Sequence, residues 1–169
     1  RRVAEKSVEI ARALGVPREQ VRHIELGALY HDIGKIGIRD DVLNKPGKLT
    51  DEEYEHMKIH PVVAEQILSP IEELRPIVDI VKFEHERWDG QGYPKGLKGK
   101  EIPLGSRLIA IADAWDSMVF DRIYRKALPH DQALREIEAK AGTQFDPDCV
   151  RVFCELQRKP SENPPALLP

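Results

Sequence analysis

The chain has 169 residues and a mass of 19.3 kDa, which suits one domain with one hydrophobic core. Hydrophobic residues make up 41% and charged residues 33%, so collagen-like, coiled-coil and wholly disordered chains are excluded. The net charge of −3 gives no general field that attracts DNA or an anionic membrane, so we expect no nucleic-acid polymer as partner and phosphate recognition only by a few placed residues.

The two cysteines and the lack of long apolar runs indicate the cellular compartment of the chain. Cys149 and Cys154 lack a CxxC partner, so we expect two reduced packing residues rather than a disulfide framework. No run reaches the roughly 18 apolar residues of a membrane span, and the N-terminus has no apolar signal core. We therefore expect a cytoplasmic chain. Helical sequence begins at residue 1 without Met, which indicates a module of a longer protein.

Apolar periodicity predicts two helices at the start of the chain. Residues 3–14 carry apolar side chains three and four apart, and Pro17 follows the end of that pattern. The periodicity resumes after Pro17 and continues to His31 and Asp32. This pair is therefore predicted at or near a helix end, and residues 34–48, which contain several glycines, are predicted to form a loop.

A capping box predicts the next helix. Thr50 is a good N-cap and Glu53 follows three residues later, so a helix should begin at Asp51 and continue to about His60. Pro61 should kink this helix or start a new one.

Two further helices are predicted over residues 62–69 and 74–87, the second with Glu84 and His85 on or beside its apolar face. Residues 88–105 hold five glycines and two prolines, which predicts a long functional loop rather than a regular element.

The last third of the chain continues the helical pattern. Apolar side chains between Leu108 and Met118 predict a helix with Asp113 and Asp116 on its other side. Asp146, which is followed by proline, is predicted to cap the final helix.

The predicted fold is all-α, a bundle of about seven helices with one long loop, because neither an internal repeat nor strand alternation is visible. We expect one domain over residues 1–158 and a flexible tail over residues 159–169, which contains four prolines.

Four separated segments carry side chains that suit divalent metal ions. They are His31 with Asp32, His60, Glu84 with His85, and Asp113. Imidazole and carboxylate ligands favour Fe or Mn, and a helical bundle brings such ligands together. Each has an ordinary alternative, since His60 could cap a helix, Glu84 could face solvent, and Asp113 could pair with Arg107. The number of segments favours convergence on one metal site.

Three cations suit phosphate binding. Lys35 follows Asp32 by three residues, and Arg122 and Arg125 follow the helix of Asp113. An arginine binds phosphate oxygens with two parallel hydrogen bonds, and a lysine stabilises negative charge that develops in a transition state. Each of these residues alone is more often an ordinary solvated side chain.

Five ordered motifs carry a family resemblance: HDIGKIGI, MKIHP, HERWDGQGYPKGLKGKEIPLGSRLIAIADAWDSM, DRIYR and GTQFDP. From about residue 3 to residue 155 the chain resembles the HD-GYP family, the cyclic di-GMP phosphodiesterase branch of the HD metal-dependent phosphohydrolases. The GYP signature is Gly92, Tyr93 and Pro94. The resemblance implies an HD-domain helical bundle with a long GYP loop, truncated here at its N-terminus.

The resemblance also implies site roles. The metal ligands are expected to be His31, Asp32, His60, Glu84, His85 and Asp113. Asp32 and Lys35 are the expected catalytic residues. The expected substrate-binding residues are Lys35, Tyr93, Asp116, Arg122 and Arg125.

The chain departs from the family pattern at two places that bear on metal binding. Glu84 stands where the family commonly has a histidine ligand, so a carboxylate with another charge and reach replaces an imidazole. Upstream ligands of the family's first helix, which precede the position of Arg2, would fall before residue 1. Ile123 in DRIYR replaces a usual proline, a smaller change.

The resulting hypothesis is hydrolysis of cyclic di-GMP to pGpG or GMP, through a hydroxide between two metal ions bridged by Asp32, with a third ion in some relatives. The main alternative is a catalytically weak or inactive module that binds a cyclic dinucleotide or a signalling partner. A mixed cyclic GMP-AMP substrate is a second alternative. By resemblance we also expect a preceding sensory or receiver domain and a homodimer.

Overall fold

The computed structural model describes residues 1–121 and 126–158 of the chain. Within these residues it is helical, with no β-strand and one isolated bridge between Ala141 and Phe145. The all-α prediction is confirmed. The predictions for Arg122, Arg125 and the tail over residues 159–169 lie outside the described residues.

Nine α-helices follow one another in the described residues, more than the seven or so predicted. They are α1 (Arg2–Ala13), α2 (Arg18–Tyr30), α3 (Asp40–Leu43), α4 (Asp51–Met57), α5 (His60–Leu68), α6 (Val78–Lys82), α7 (Leu104–Val119), α8 (His130–Ala139) and α9 (Pro147–Arg158). Three 3-10 segments join them, at Ile33–Gly37, Glu72–Ile77 and Gly99–Glu101. The helix α3, of four residues, falls within residues 34–48, so the prediction of a loop there is wrong in part.

The helix α7 lies at the centre of the main core. Its apolar face, including Leu108, Ile111 and Trp115, is buried against α1, α2, α8 and α9. The Trp115 ring meets the ring of Phe153 from α9 edge to face, with centroids 5.2 Å apart. Asp113 is left on the side of α7 that faces away from this core, so burial of the apolar face places a carboxylate where other elements can approach it.

The capping box at the start of α4 is confirmed. The Thr50 hydroxyl accepts a hydrogen bond from the Glu53 N–H at 3.3 Å, and the Glu53 carboxylate accepts one from the Thr50 N–H at 2.7 Å. The helix ends at Met57, and α5 begins at His60 with Pro61 in its first turn. Proline is tolerated there because the first N–H groups of a helix have no partner within the helix.

The prediction of one helix over residues 74–87 is wrong. A 3-10 segment extends to Ile77 and α6 ends at Lys82. One cause is Pro76, which has no N–H to donate within a helix. The Ser106 hydroxyl of α7 donates to the Ile80 carbonyl at 2.7 Å, satisfying an acceptor at the end of α6. Residues 84 and 85 therefore lie in a turn after α6.

Asp146 caps α9 as predicted, since its Oδ1 accepts hydrogen bonds from the N–H groups of Asp148 and Cys149. Its other oxygen accepts from Arg107 Nη1 at 2.6 Å. The alternative that Arg107 pairs with Asp113 is therefore wrong. Cys149 and Cys154 are free and buried, as expected. Among the described residues no helix has both the length and the hydropathy to cross a bilayer.

Candidate metal centre

Three ligand side chains from two elements meet in the interior. His60 begins α5, and Glu84 and His85 occupy the turn after α6. The Nε2 atoms of the two histidines are 3.1 Å apart, and Glu84 Oε1 lies 3.8 Å from His60 Nε2 and 3.7 Å from His85 Nε2. These three ligand atoms all lie within 4.8 Å of one another, which is the arrangement of a metal site.

Backbone carbonyls orient two of the site's histidines. His60 Nδ1 lies 2.8 Å from the Met57 oxygen, and His31 Nδ1 lies 2.8 Å from the Ala28 oxygen. A carbonyl only accepts, so each Nδ1 carries the proton and each Nε2 presents a lone pair. This arrangement is the usual outer support of a metal-binding histidine.

One carboxylate oxygen of Glu84 is buried without a hydrogen-bond partner in the described part of the chain. Glu84 is 4% exposed, and the oxygen without a partner among the described residues is Oε1. Burial raises the pKa of Glu84 well above its usual range, and the negative charges of Asp32 and Asp113 act in the same direction. An unsatisfied buried carboxylate is costly, and a bound cation is the partner that would remove that cost.

The separation of the two imidazole nitrogens also fits an ion. Two nitrogens about 2.0–2.1 Å from one ion stand roughly 2.9–3.4 Å apart when their angle lies between 90° and the tetrahedral value. The observed 3.1 Å between His60 and His85 falls in this interval. Two nitrogens and one carboxylate oxygen suit Fe, Mn or Zn rather than calcium, which takes oxygen ligands. The residues present therefore fit a transition-metal ion.

A second group of ligands adjoins the first. His31 Nε2 lies 3.7 Å from Asp32 Oδ2 and 3.9 Å from Asp113 Oδ1. His31 follows the end of α2, Asp32 precedes the 3-10 segment Ile33–Gly37, and Asp113 comes from the middle of α7. Asp113 lines one cavity with Glu84 and His85 and another with His31 and Asp32, so the two groups adjoin each other. The structure thus brings together all six predicted ligands.

Electrostatics keep His60, His85 and Asp32 in the protonation states that metals require. Burial lowers the pKa of His60, and burial with the neighbouring His60 and Lys35 lowers the pKa of His85 to about 3. Both rings are therefore neutral at pH 7. Burial alone would raise the pKa of Asp32, but His31 and Lys35 outweigh it and lower that pKa. Lys35 Nζ is 2.6 Å from Asp32 Oδ1, so the predicted catalytic lysine lies at the site.

An open cavity of about 510 Å³ leads to the first group of ligands. Glu84, His85 and Asp113 line it at one side, and Tyr93 of the GYP loop lines it as well. The Tyr93 ring stacks on the His85 ring, with centroids 4.9 Å apart and planes 20° apart. Burial raises the pKa of Tyr93, so its hydroxyl stays protonated. The predicted substrate-binding tyrosine therefore lies beside a metal ligand.

Asp116 is one turn beyond Asp113 on α7 and is held by an arginine. Arg2 donates to it through Nε at 2.6 Å and through Nη2 at 3.0 Å. The guanidinium also lies over the Phe120 ring, 3.8 Å from its centroid. Arg2, Asp116, Asp32 and Asp113 line one small cleft, so Arg2 belongs to the surroundings of the site. No role in the site was predicted for Arg2 from the sequence.

Glu86, which is 4% exposed, is a further residue of the site region that was not predicted from the sequence. Its carboxylate accepts hydrogen bonds from three successive backbone N–H groups of the GYP loop, those of Lys95, Gly96 and Leu97, at 2.7, 3.1 and 2.9 Å. No local pattern predicts this contact, because the donors are nine to eleven residues away in the chain.

Comparison with known proteins agrees with this geometry. The sequence profile described as HD domain matches residues 1–149. The chain belongs to the HD domain family. HD-domain phosphohydrolases depend on metal ions, which agrees with the ligand groups described above.

Relatives of this HD domain include named enzymes. A cyclic di-GMP phosphodiesterase from Thermotoga maritima is 44% identical over 162 residues, covering 94% of this chain and 44% of the relative. A 3'3'-cGAMP-specific phosphodiesterase 3 from Vibrio cholerae is 38% identical over 148 residues, covering 88% of this chain and 32% of the relative. The HD domain described here therefore spans less than half the length of these two relatives.

A solved structure shares the fold. An HDG"Y"P protein from Bdellovibrio bacteriovorus superposes with a TM-score of 0.72 at 22% identity, covering 92% of this chain and 50% of that chain. The HD-GYP resemblance and the helical HD-domain fold predicted from the motifs are confirmed.

Proposed function

We propose that this HD domain is a metal-dependent phosphodiesterase that hydrolyses a cyclic dinucleotide. The observation that carries the proposal is the buried Glu84 oxygen, which faces the Nε2 atoms of His60 and His85 and has no hydrogen-bond partner in the described part of the chain. A cation supplies the missing partner. The names of the relatives, which are phosphodiesterases for cyclic di-GMP or cGAMP, support the substrate class.

Two groups of side chains would hold the ions. The first is His60, Glu84 and His85, and the second is His31, Asp32 and Asp113. Asp32 would be shared by the two groups, since electrostatic interactions with His31 and also with His60 lower its pKa. Fe or Mn ions bound there would polarise the phosphate and lower the pKa of a water ligand.

The chain's own cations would bind the negative charges of the substrate. Lys35 favours the ionised form of Asp32 through their 2.6 Å contact, and its ammonium would lie beside the scissile phosphate, where it would stabilise the added negative charge. Arg122 and Arg125 would bind the second phosphate with paired hydrogen bonds. Asp116 and Tyr93 complete the expected contacts of the dinucleotide.

The substrate proposed first is cyclic di-GMP. Water adds to one phosphorus, the bond from that phosphorus to a ribose oxygen breaks, and that oxygen takes up a proton, which gives linear pGpG. A second cleavage of the same kind gives GMP. A cyclic GMP-AMP dinucleotide has the same phosphates, and a relative named for it makes it the alternative substrate.

One observation favours a second function, which is binding without turnover. Glu84 replaces a neutral imidazole by a carboxylate in the first ligand group, which changes the charge at the metal ion. If that change abolishes hydrolysis, the cavity and its cations would still bind the dinucleotide.

The test is an anaerobic incubation of the metal-depleted chain with Fe(II) or Mn(II). Cyclic di-GMP and 3'3'-cGAMP are supplied in parallel, and products are resolved by chromatography. We expect a linear product from the wild type and a rate at least about 10³-fold lower for Asp32→Ala, because that change removes a ligand and the partner of Lys35. Asp148→Ala, an exposed acid on α9, is the control and should keep the wild-type rate.

Each outcome decides between the functions. Product from Asp32→Ala at the wild-type rate would overturn the site assignment. Binding of a dinucleotide by the wild type with no product, in either metal, would replace the enzyme by the binding module. A faster reaction with 3'3'-cGAMP would replace the preferred substrate while leaving the phosphodiesterase in place.

A further inference from the structure

His85 differs from the other two histidines of the metal centre in what holds its ring. His31 and His60 each donate Nδ1–H to a backbone carbonyl. Within residues 1–121 and 126–158, His85 Nδ1 has no hydrogen-bond partner, although His85 Nε2 lies 3.1 Å from His60 Nε2. A ligand histidine normally needs an outer partner that fixes its ring orientation. Another contact must perform that task for His85.

The Tyr93 ring makes such a contact with His85. It lies nearly parallel to the His85 imidazole, with planes 20° apart and centroids 4.9 Å apart. Offset stacking of this kind restricts rotation of a ring about its χ2 angle, because turning the ring would lose the contact or produce a clash. The Tyr93 ring therefore holds the plane of His85 so that Nε2 faces His60.

The backbone brings Tyr93 to this place through a close approach of two segments. The Tyr93 N–H donates to the His85 carbonyl at 3.2 Å. At Gly92 a Cβ would lie 2.4 Å from the Arg87 nitrogen and 2.6 Å from the His85 oxygen, so only glycine fits there. The glycine of the signature thus permits the stack that the tyrosine makes.

Glu86 fixes the far side of the same loop. Its buried carboxylate accepts the N–H groups of three successive residues, from Lys95 to Leu97, directly after the Tyr93-Pro94 pair. Three hydrogen bonds to a charged acceptor each contribute more than neutral ones, so this contact anchors the loop strongly. Glu86 is the residue after His85, and it therefore ties the loop to the segment that carries the ligand.

We propose that Tyr93 is a positioning residue that orients His85 for metal binding through its ring, and that Glu86 holds Tyr93 in place. The inference rests on the proposed metal centre. It assigns the tyrosine ring, rather than its hydroxyl, a role in the protein itself, in addition to any contact with substrate. Glu86 acts through the loop and does not bind the ion.

Four single variants test the inference. Tyr93→Leu removes the ring, and Tyr93→Phe keeps the ring but removes the hydroxyl. Glu86→Gln replaces one acceptor oxygen by an amide nitrogen that cannot accept. Glu101→Gln is the matched control, because Glu101 is an exposed carboxylate that accepts one N–H, from Lys98 at 2.9 Å, in the same loop.

The measurement is Mn(II) affinity of the metal-depleted proteins by titration calorimetry, together with the visible spectrum of the Co(II) form. We expect Tyr93→Leu and Glu86→Gln to bind Mn(II) about 10–100-fold more weakly, the usual cost of losing an outer partner of a ligand. Tyr93→Phe and Glu101→Gln should stay within about twofold of the wild type. The Co(II) spectrum should change only in the first two variants.

The unfolding temperature of the metal-free proteins separates positioning from folding. Tyr93→Leu alone decides the inference if Glu86→Gln does not fold. Wild-type Mn(II) affinity and an unchanged Co(II) spectrum in a folded Tyr93→Leu protein would overturn it. An equal loss in Tyr93→Phe would also overturn it, since the hydroxyl would then be responsible. A wild type that binds neither metal overturns the proposed function, whereas a wild type that binds with unaffected variants overturns this inference alone.

Discussion

Glu84 and Asp146 are equally buried, each 4% exposed, yet their surroundings are opposite. Asp146 accepts hydrogen bonds from Arg107 and from the N–H groups of Asp148 and Cys149. Glu84 Oε1 has no partner in the described residues and faces two imidazole nitrogens. The first acid is part of a completed contact between α7 and α9. The second acid, Glu84, is available to bind a cation, which the polypeptide does not supply.

The difference comes from the groups that each acid meets. Asp146 lies at the start of α9, where N–H groups are unpaired and a guanidinium approaches from α7. Glu84 meets His60, whose only N–H already donates to Met57. A buried polar atom without a partner in an otherwise well-paired structure therefore indicates a functional site more directly than burial does.

The largest stability effect is expected at the completed contact. Asp146→Ala leaves Arg107 partly buried without its partner, so we expect the free energy of unfolding to fall by about 3–5 kcal/mol. Urea unfolding measures this loss. Asp148→Ala, exposed in the same helix turn, should change stability by less than about 0.5 kcal/mol. A loss below about 1 kcal/mol in Asp146→Ala would show that the pair is not structural.

The opposite result is expected at Glu84. Glu84→Gln keeps the shape and removes the ionisable group, so the metal-free protein should be at least as stable as the wild type. Its Mn(II) affinity should fall at least about tenfold, because a ligand oxygen and its charge are lost. Asp146→Asn, studied in parallel, should lose stability and keep metal affinity within about twofold. If both variants lose only stability, Glu84 is not a ligand.

The smallest expected effect that sharpens the comparison of Glu84 with Asp146 is the pH dependence of the stability that Glu84 contributes. Because the pKa of Glu84 is raised on folding, the folded state keeps a proton that the unfolded state releases above pH 4.5. The contribution of Glu84 to the stability of the metal-free protein therefore declines with rising pH from about 4.5 toward the raised pKa, by at most about 1.4 kcal/mol per pH unit.

Glu84→Gln isolates this contribution. The pKa of His85 is lowered from 6.5 to about 3, so His85 makes stability rise between those pH values in both proteins. The difference between wild type and Glu84→Gln, measured by urea unfolding at each pH, should grow in favour of the variant above pH 4.5. Parallel curves would mean that the Glu84 pKa is not raised.

Much of the fold was predictable from the sequence. The capping box of Thr50 and Glu53 and the cap at Asp146 formed as expected, since each joins residues two or three apart. The six candidate metal ligands were predicted from residue types and motif resemblance, and the structure places them in two adjoining groups. Glu86 was missed because its partners lie across a loop. The helix predicted over residues 74–87 was too long because Pro76 interrupts its first part and the contact from Ser106 satisfies a carbonyl near the end of α6.

The sequence by itself determined the helical class, the caps and the kinds of ligand, because apolar periodicity and capping depend on residues within four positions of one another. Tertiary structure decided that Asp146 has hydrogen-bond partners and that Glu84 Oε1 has none in the described residues. Glu84 and Asp146 are both carboxylic acids. Only packing brings Arg107 to Asp146, 39 positions along the chain, and His60 at the start of α5 to Glu84 after α6. Such pairings depend on how helices pack, which no local pattern encodes.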